Sequence, residues 1–465
     1  MTYINNYINQ QIEKMLLILG TVLAGVAAAV PLTSTALFST DTWWHLATGK
    51  WIWENKAIPR NDPFSWSLPG ADWTAHEWLF ELLLYPFSGT TYGVIIFCAV
   101  PVIANIFLFW KLVKRTKPLM TGLILAVSAT MLYPGLTARP QLYDYLFFTL
   151  MIYLYKENKW LYTIPVVILV WANMHSAVLL GVGLTIFFLV LSLIPSFRVG
   201  LIVHEPIGDR NTYFKIAVIS ILASLCTPWG YNLYGYVWHT ISDDIFAKYI
   251  TEWMSPPLGI PLIKYTTIAV ATLVLGGISI YSRSVNLYTV LLCGGLFYLT
   301  LSGFRYYTLL GIALTTLLGE IWASDRQNNR GLAAIGVTLG ILIGTLVGGI
   351  PKDYEQVAMR ENYPVAAVNH LGQRTLNPYD WGGYLIFQGQ KVFIDGRADI
   401  YRFEGDVFQD SMEVLSKLDI QKMIDKYHPD SILCRKESLM TKYLALLPGW
   451  VKTYEDNVAV VYKAR

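Results

Sequence analysis

Long uncharged apolar runs recur along this chain as far as residue 350, and they restrict it to few kinds of fold. A helix that crosses a bilayer needs about 20 predominantly apolar residues. Its backbone polar groups must also be satisfied within the segment. On that rule about eleven runs are expected to span. They lie at roughly 15–38, 91–113, 118–137, 141–155, 160–174, 176–196, 213–229, 259–281, 285–303, 305–323 and 331–350. Composition agrees, with 54% apolar and only 14% charged residues, where a soluble domain carries about 25% charged. The chain is therefore read as a polytopic α-helical membrane protein. The stretch MTYINNYINQQIEK that precedes the first run lacks the basic region and cleavage site of a signal peptide, so that run is expected to be retained.

Orientation follows from the basic residues of the short loops. Lys111, Lys114, Arg115 and Lys117 follow the second run, Lys156 and Lys159 the fourth, and Arg198 and Arg210 the sixth. Arg283 follows the eighth, and Arg326 and Arg330 the tenth. These loops are expected on the cytoplasmic side, with the N-terminus. The alternate loops, rich in acids, histidines and aromatics, are then extracytoplasmic. A transporter would place its polar residues at mid-membrane and show two related halves; no such repeat is visible.

Beyond residue 350 the composition becomes charged and mixed. Short β-rich runs at 391–395, 431–435, 450–454 and 458–462 alternate with helical patterns such as 407–427. This predicts a small extracytoplasmic α/β domain over 351–465, following a membrane domain over 1–350 that includes a structured first outer loop, 39–88. A net charge of +3 argues neither for nor against nucleic acid, but no basic patch with interleaved aromatics is visible, so no nucleic-acid partner is expected. Cys98, Cys226, Cys293 and Cys434 are scattered and form no disulfide or metal pattern.

The first outer loop carries the densest chemistry. Residues 41–81 hold seven of the sixteen tryptophans. Trp43, Trp44, Trp51 and Trp53 are expected on one helix lying along the bilayer surface, where a ring is half buried and its N–H stays wet. Trp78, Leu79, Leu82, Leu83 and Leu84 read as the apolar side of a second helix. Asp41, where the first run ends, is either the N-cap of the first of these helices or a carboxylate base. His45 lies one turn further on, and His76, Glu77 and Glu81 follow. Together these could bind a divalent metal or fix the loop by hydrogen bonds. Arg139 in TARPQ and Arg305 in FRYY offer planar forks suited to phosphate, or snorkel to lipid headgroups. His175 and Glu252 are lone polar residues in outer loops, and Asp144 is expected to pair with one of the arginines. Asp41, His76, Glu77, Arg139, His175 and Arg305 are all expected to line one outward-facing cavity. Glycines within 340–349 read as helix packing.

The segments DTWWHLATGKWI, NDPFSWSLPG, HEWLFELLLY, TARPQL, WANMHS, TPWG, EWMSPP and RYY, followed by WGGYLI and VFIDGRADIY, occur in this order in a group of bacterial polytopic proteins. That group resembles the GT-C integral-membrane glycosyltransferases. It is similar to polyprenyl-phosphate-sugar-dependent mannosyltransferases and lipid A aminoarabinose transferases. Those enzymes carry an acidic residue, often a pair, just after the first span; here the matching position is Asp41, followed by Thr42. The resemblance implies transfer of a sugar from a polyprenyl-phosphate donor to a lipid, glycan or protein acceptor at the outer face. Asp41 would be the catalytic base, with His45, His76, Glu77, Arg139, His175, Glu252 and Arg305 binding substrate. A polymerase or ligase of lipid-linked glycans, and a non-enzymatic scaffold for envelope assembly, are the alternatives.

Overall fold

The computed structural model describes residues 2–206, 208–281, 284–324, 330–417 and 419–465. Arg283 and Arg326, used above for orientation, lie outside the described residues. Each of the expected apolar runs is helical. The helices are Thr2–Leu32, Thr91–Val113, Pro118–Leu132, Gln141–Glu157, Ile164–Met174, Val178–Leu193, Arg210–Ser224, Pro261–Tyr281, Leu287–Ser302, Tyr307–Ile321 and Arg330–Gly348. Among the described residues four stretches are long and apolar enough to cross a membrane: Tyr7–Leu32, Thr91–Val113, Pro118–Gly135 and Pro261–Ile280. The rest are shorter or more polar. Gln141–Glu157 carries Asp144 in its first turn and Lys156 in its last, and Tyr307–Ile321 has 15 residues.

The chain divides into two units. The first comprises Met1–Leu37, Cys98–Val237 and Phe246–Ile350, and the second Phe38–Phe97, Trp238–Ile245 and Pro351–Arg465. This differs from the division expected at residue 350. Residues of the first outer loop fold with the C-terminal residues, and the reason is a shared aromatic core that no local pattern reveals.

In the first unit the helix Thr2–Leu32 packs along Arg330–Gly348 and Pro118–Leu132. Gly336, Gly340, Gly344 and Gly348 recur every fourth residue and turn one bare stripe to Thr21, Val22, Val26, Ala29 and Thr33. A Cβ on Gly344 would stand 2.7 Å from the Ala29 Cβ. The two backbones therefore approach closely, the packing expected of small residues in apolar helices. Ile164–Met174 and Val178–Leu193 pack on Arg210–Ser224, and Leu287–Ser302 packs on Tyr307–Ile321. A small sheet joins Phe197–Val199, Ile202–His204 and Val285–Asn286, its first pair antiparallel and its second parallel.

The second unit has a four-stranded sheet in the order Thr375–Leu376, Ser431–Arg435, Ala459–Ala464, Trp450–Glu455, parallel in its first pair and antiparallel after it. The run at 391–395 is no strand of this sheet. Val392 makes one isolated bridge with Ser65, and the Phe393 N–H is taken by the Asn377 side chain. The pattern at 407–427 is two helices, Val407–Lys417 and Ile420–Tyr427.

The aromatic helix Thr42–Asn55 is the centre of this unit, which corrects the interfacial reading. Trp43 is completely buried, Trp44 nearly so, and Trp53 is the exposed one. The Trp43 indole sits among the rings of Phe38, Tyr354, Tyr363, Tyr384 and Phe387, with centroids 5.1–6.3 Å apart. The cause is the helix Tyr379–Phe387, which lies against it. Gly383 makes this possible, since a Cβ there would meet the Thr40 carbonyl oxygen at 2.5 Å. The helix Trp78–Leu84 also turns differently from expectation: it buries Phe80, Glu81 and Leu84 and exposes Leu83.

Candidate functional site

The residues singled out in the sequence fall in both units. In the first unit, Arg139 precedes the helix Gln141–Glu157 in a tight turn. Its Nη1 donates to the Glu252 carboxylate from the short helix Thr251–Trp253. The expected lone Glu252 is thus paired. Arg139 holds its carboxyl below the usual carboxylate range against the opposing effect of burial, with Arg305 and His175 adding to the pull. The Arg305 guanidinium lies 4.3 Å from the centre of the Trp253 ring. A cation stacked on an aromatic face and a second arginine paired to Glu252 give this end of the helices a positive character, tempered by the Glu252 carboxylate.

Asp144 pairs with neither arginine, which corrects that expectation. It is buried, accepts the Trp171 indole N–H at 2.6 Å, and stands 2.6 Å from His175 Nδ1. His175 ends the helix Ile164–Met174 with extended backbone and is itself buried. A carboxylate on one ring nitrogen fixes the ring's orientation and tautomer. Sequence reasoning missed this dyad because its members lie 31 residues apart on different helices. The adjacent NMHS and TARPQ segments gave the only signal.

In the second unit, Asp41 takes the N-cap position of Thr42–Asn55, but its side chain makes no capping hydrogen bond and its backbone is already helical. The capping role expected of it is therefore absent. Its Oδ1 instead lies against Gly396, where any Cβ would overlap it. A side chain at position 396 would have to displace the Asp41 carboxylate.

Behind Gly396 lies a polar network that sequence reasoning also missed. Arg397 is 2% exposed. It forks onto Asp395 with Nε at 2.8 Å and Nη2 at 2.7 Å, and reaches Asp62 with Nη1 at 2.7 Å. Tyr401 donates to Asp395 at 2.5 Å, and the N–H groups of Phe64 and Ser65 donate to Asp62. The guanidinium is stacked 4.7 Å from the Trp73 ring centre. This ties the loop of 58–70 to the DGRAD segment.

Near it lie His45, Glu77 and Glu81. His45 Nδ1 is 3.1 Å from Glu81 Oε1 and 3.7 Å from Glu77 Oε2. His76 Nε2 is 3.7 Å from the other Glu77 oxygen, and its Nδ1 lies 3.1 Å from the Thr74 carbonyl. His45 and Glu81 are each 1% exposed. Burial, and then the neighbouring Glu77 carboxylate, push the Glu81 carboxyl well above the usual range, with Arg397 pulling weakly the other way.

Comparison with known proteins places this geometry in a fold. The chain is similar to archaeal oligosaccharyltransferase AglB from Archaeoglobus fulgidus, solved in complex with an inhibitory peptide and a dolichol-phosphate. The TM-score is 0.56 at 9% identity over 94% of this chain and 71% of that one. An Archaeoglobus fulgidus oligosaccharyltransferase in its apo form gives 0.53 at 9% identity over 93% of this chain and 71% of that one. Tethered to an acceptor peptide containing the NVT sequon, it gives 0.53 at 10% identity over 97% and 74%. The fold is GT-C-like. The chain is a membrane protein of that architecture. No protein-family model matches the sequence, and no curated protein does.

Proposed function

We propose that this chain is a GT-C glycosyltransferase that moves a sugar from a polyprenyl-phosphate carrier to an acceptor at the outer face of the membrane. The observation that carries the reading is the likeness of fold along nearly the whole chain to an oligosaccharyltransferase solved with a dolichol-phosphate. Fold alone hosts many functions. The reading therefore also leans on the residues: a half-buried Asp41 that does not cap its helix, and arginines suited to a phosphate.

In the proposed reaction the acceptor oxygen attacks the anomeric carbon of the sugar. The bond from that carbon to the carrier's phosphate oxygen breaks, and polyprenyl phosphate leaves with the bonding pair. Asp41 takes the acceptor's proton. Arg139 and Arg305 are assigned to phosphate, whose charge grows as the bond breaks, and stabilising that charge is the larger part of such catalysis. For Arg139 this requires phosphate to compete with Glu252. Mass spectrometry of envelope glycans and glycolipids tests the reading. Loss of one sugar modification when the protein is absent is the expected result, and an unchanged profile contradicts it.

The topology belongs to the same proposal: eleven spans, N-terminus inside and residues 351–465 outside. Basic loops motivate it. A periplasm-dependent reporter fused after Arg465 should be active; activity of a cytoplasm-dependent reporter there would invert the orientation.

A further inference from the structure

The His45, Glu77 and Glu81 cluster has the form of a metal site. One donor atom from each residue lies within 4.8 Å of the other two, and all three residues are buried. A cation bonded at about 2.0–2.2 Å holds tetrahedral ligands roughly 3.3–3.6 Å apart. The His45 Nδ1 distances of 3.1 and 3.7 Å bracket that range. A second observation points the same way. Glu81 Oε2 is fully buried and has no hydrogen-bond partner. Native structures rarely leave a buried carboxylate oxygen unsatisfied, and an ion is one of the recognised reasons when they do.

The two helices are built to bring these side chains together. Glu77 and Glu81 stand one turn apart at the start of Trp78–Leu84. Gly49, one turn beyond His45, lets Thr42–Asn55 cross directly over the Glu81 carbonyl, which any Cβ there would overlap. His76 lies beside the second oxygen of Glu77 and is placed to orient it. Trp44 and Phe80 flank the His45 ring, at 3.7 and 5.5 Å between centroids, and keep the cluster dry.

We propose that His45 Nδ1, Glu77 and Glu81 bind one divalent cation of the zinc or manganese class. One imidazole and two carboxylates suit these ions, and three protein ligands leave a position open for water or a substrate oxygen. The proposal does not depend on the transferase reading, because binding is measured without turnover.

The test uses the purified full-length protein, stripped with EDTA and dialysed against buffer containing Zn²⁺ or Mn²⁺ alone. Bound metal is counted by plasma mass spectrometry, and melting is followed by fluorimetry. About one tightly held ion per chain and a metal-dependent rise in Tm are expected. Glu81→Gln should weaken binding by roughly tenfold or more and abolish the rise. Its metal-free Tm should stay close to that of the metal-free wild type, since glutamine keeps the shape of the buried side chain. Glu77→Gln, nearer the surface, is a second variant should Glu81→Gln fold poorly. No retained ion in the wild type, or equal retention by the wild type and a folded variant, would overturn the proposal.

Discussion

Replacing Arg397 with methionine is expected to lower stability by about 3–5 kcal/mol, the usual cost of removing one partner from a buried ion pair. Methionine fills much of the same space, so packing loss is small. What remains is two buried carboxylates, Asp62 and Asp395, with no guanidinium between them. For a folding unit of about 150–250 residues this corresponds to a fall in Tm of roughly 6–20 °C. Arg435→Met is the control. Its pair with Asp380 is more than two-fifths exposed on both sides, and such pairs contribute at most about 1 kcal/mol. Adding Asp62→Asn and Asp395→Asn to Arg397→Met should restore part of the loss. Thermal denaturation in detergent distinguishes these outcomes, and equal melting of Arg397→Met and Arg435→Met would show the network to be unimportant.

The same network sets a pH dependence. Burial raises the Asp62 carboxyl, but Arg397, Ser65 and the Phe64 N–H outweigh it and hold it below its usual value. A carboxyl lower in the folded state than in the unfolded one stabilises above the unfolded value, near pH 4, and loses that contribution as pH falls through the folded value. Acid should therefore weaken the wild type more than the neutralised triple variant.

The sequence showed the helices well and the site poorly, for one physical reason. Apolar periodicity is a local signal, so every expected run is a helix, and the strand at 431–435 appears where its β-branched and apolar residues place it. Side-chain partnership is a tertiary property. Trp43 has the same local context whether it lies at a lipid surface or in a core, and Tyr354, Tyr363 and Tyr384, more than 300 positions away, decide the matter. Asp62 and Arg397 are 335 positions apart. The contact between Gly396 and Asp41 also joins residues far apart in the sequence. Likewise the buried face of Trp78–Leu84 carries Glu81, a placement that hydrophobic pattern argues against.

The second large effect concerns Asp41. Asparagine keeps its shape and would cap as well as aspartate, yet it cannot accept a proton. The aspartate makes no side-chain cap to lose, so folding should be preserved. If Asp41 is the base, the rate should fall by roughly 10²–10⁴-fold, the usual contribution of general-base catalysis. Gly396→Ala should lower the rate by a different route, because its methyl group displaces the carboxylate while leaving its charge.

Transfer from a radiolabelled polyprenyl-phosphate sugar, with the purified protein in nanodiscs, tests the central claim most directly. Wild-type protein should release polyprenyl phosphate and label an acceptor, while a folded Asp41→Asn protein should be slower by at least about a hundredfold. Wild-type-like turnover by Asp41→Asn would contradict the mechanism, and no transfer by the wild type from any polyprenyl-phosphate sugar would contradict the function.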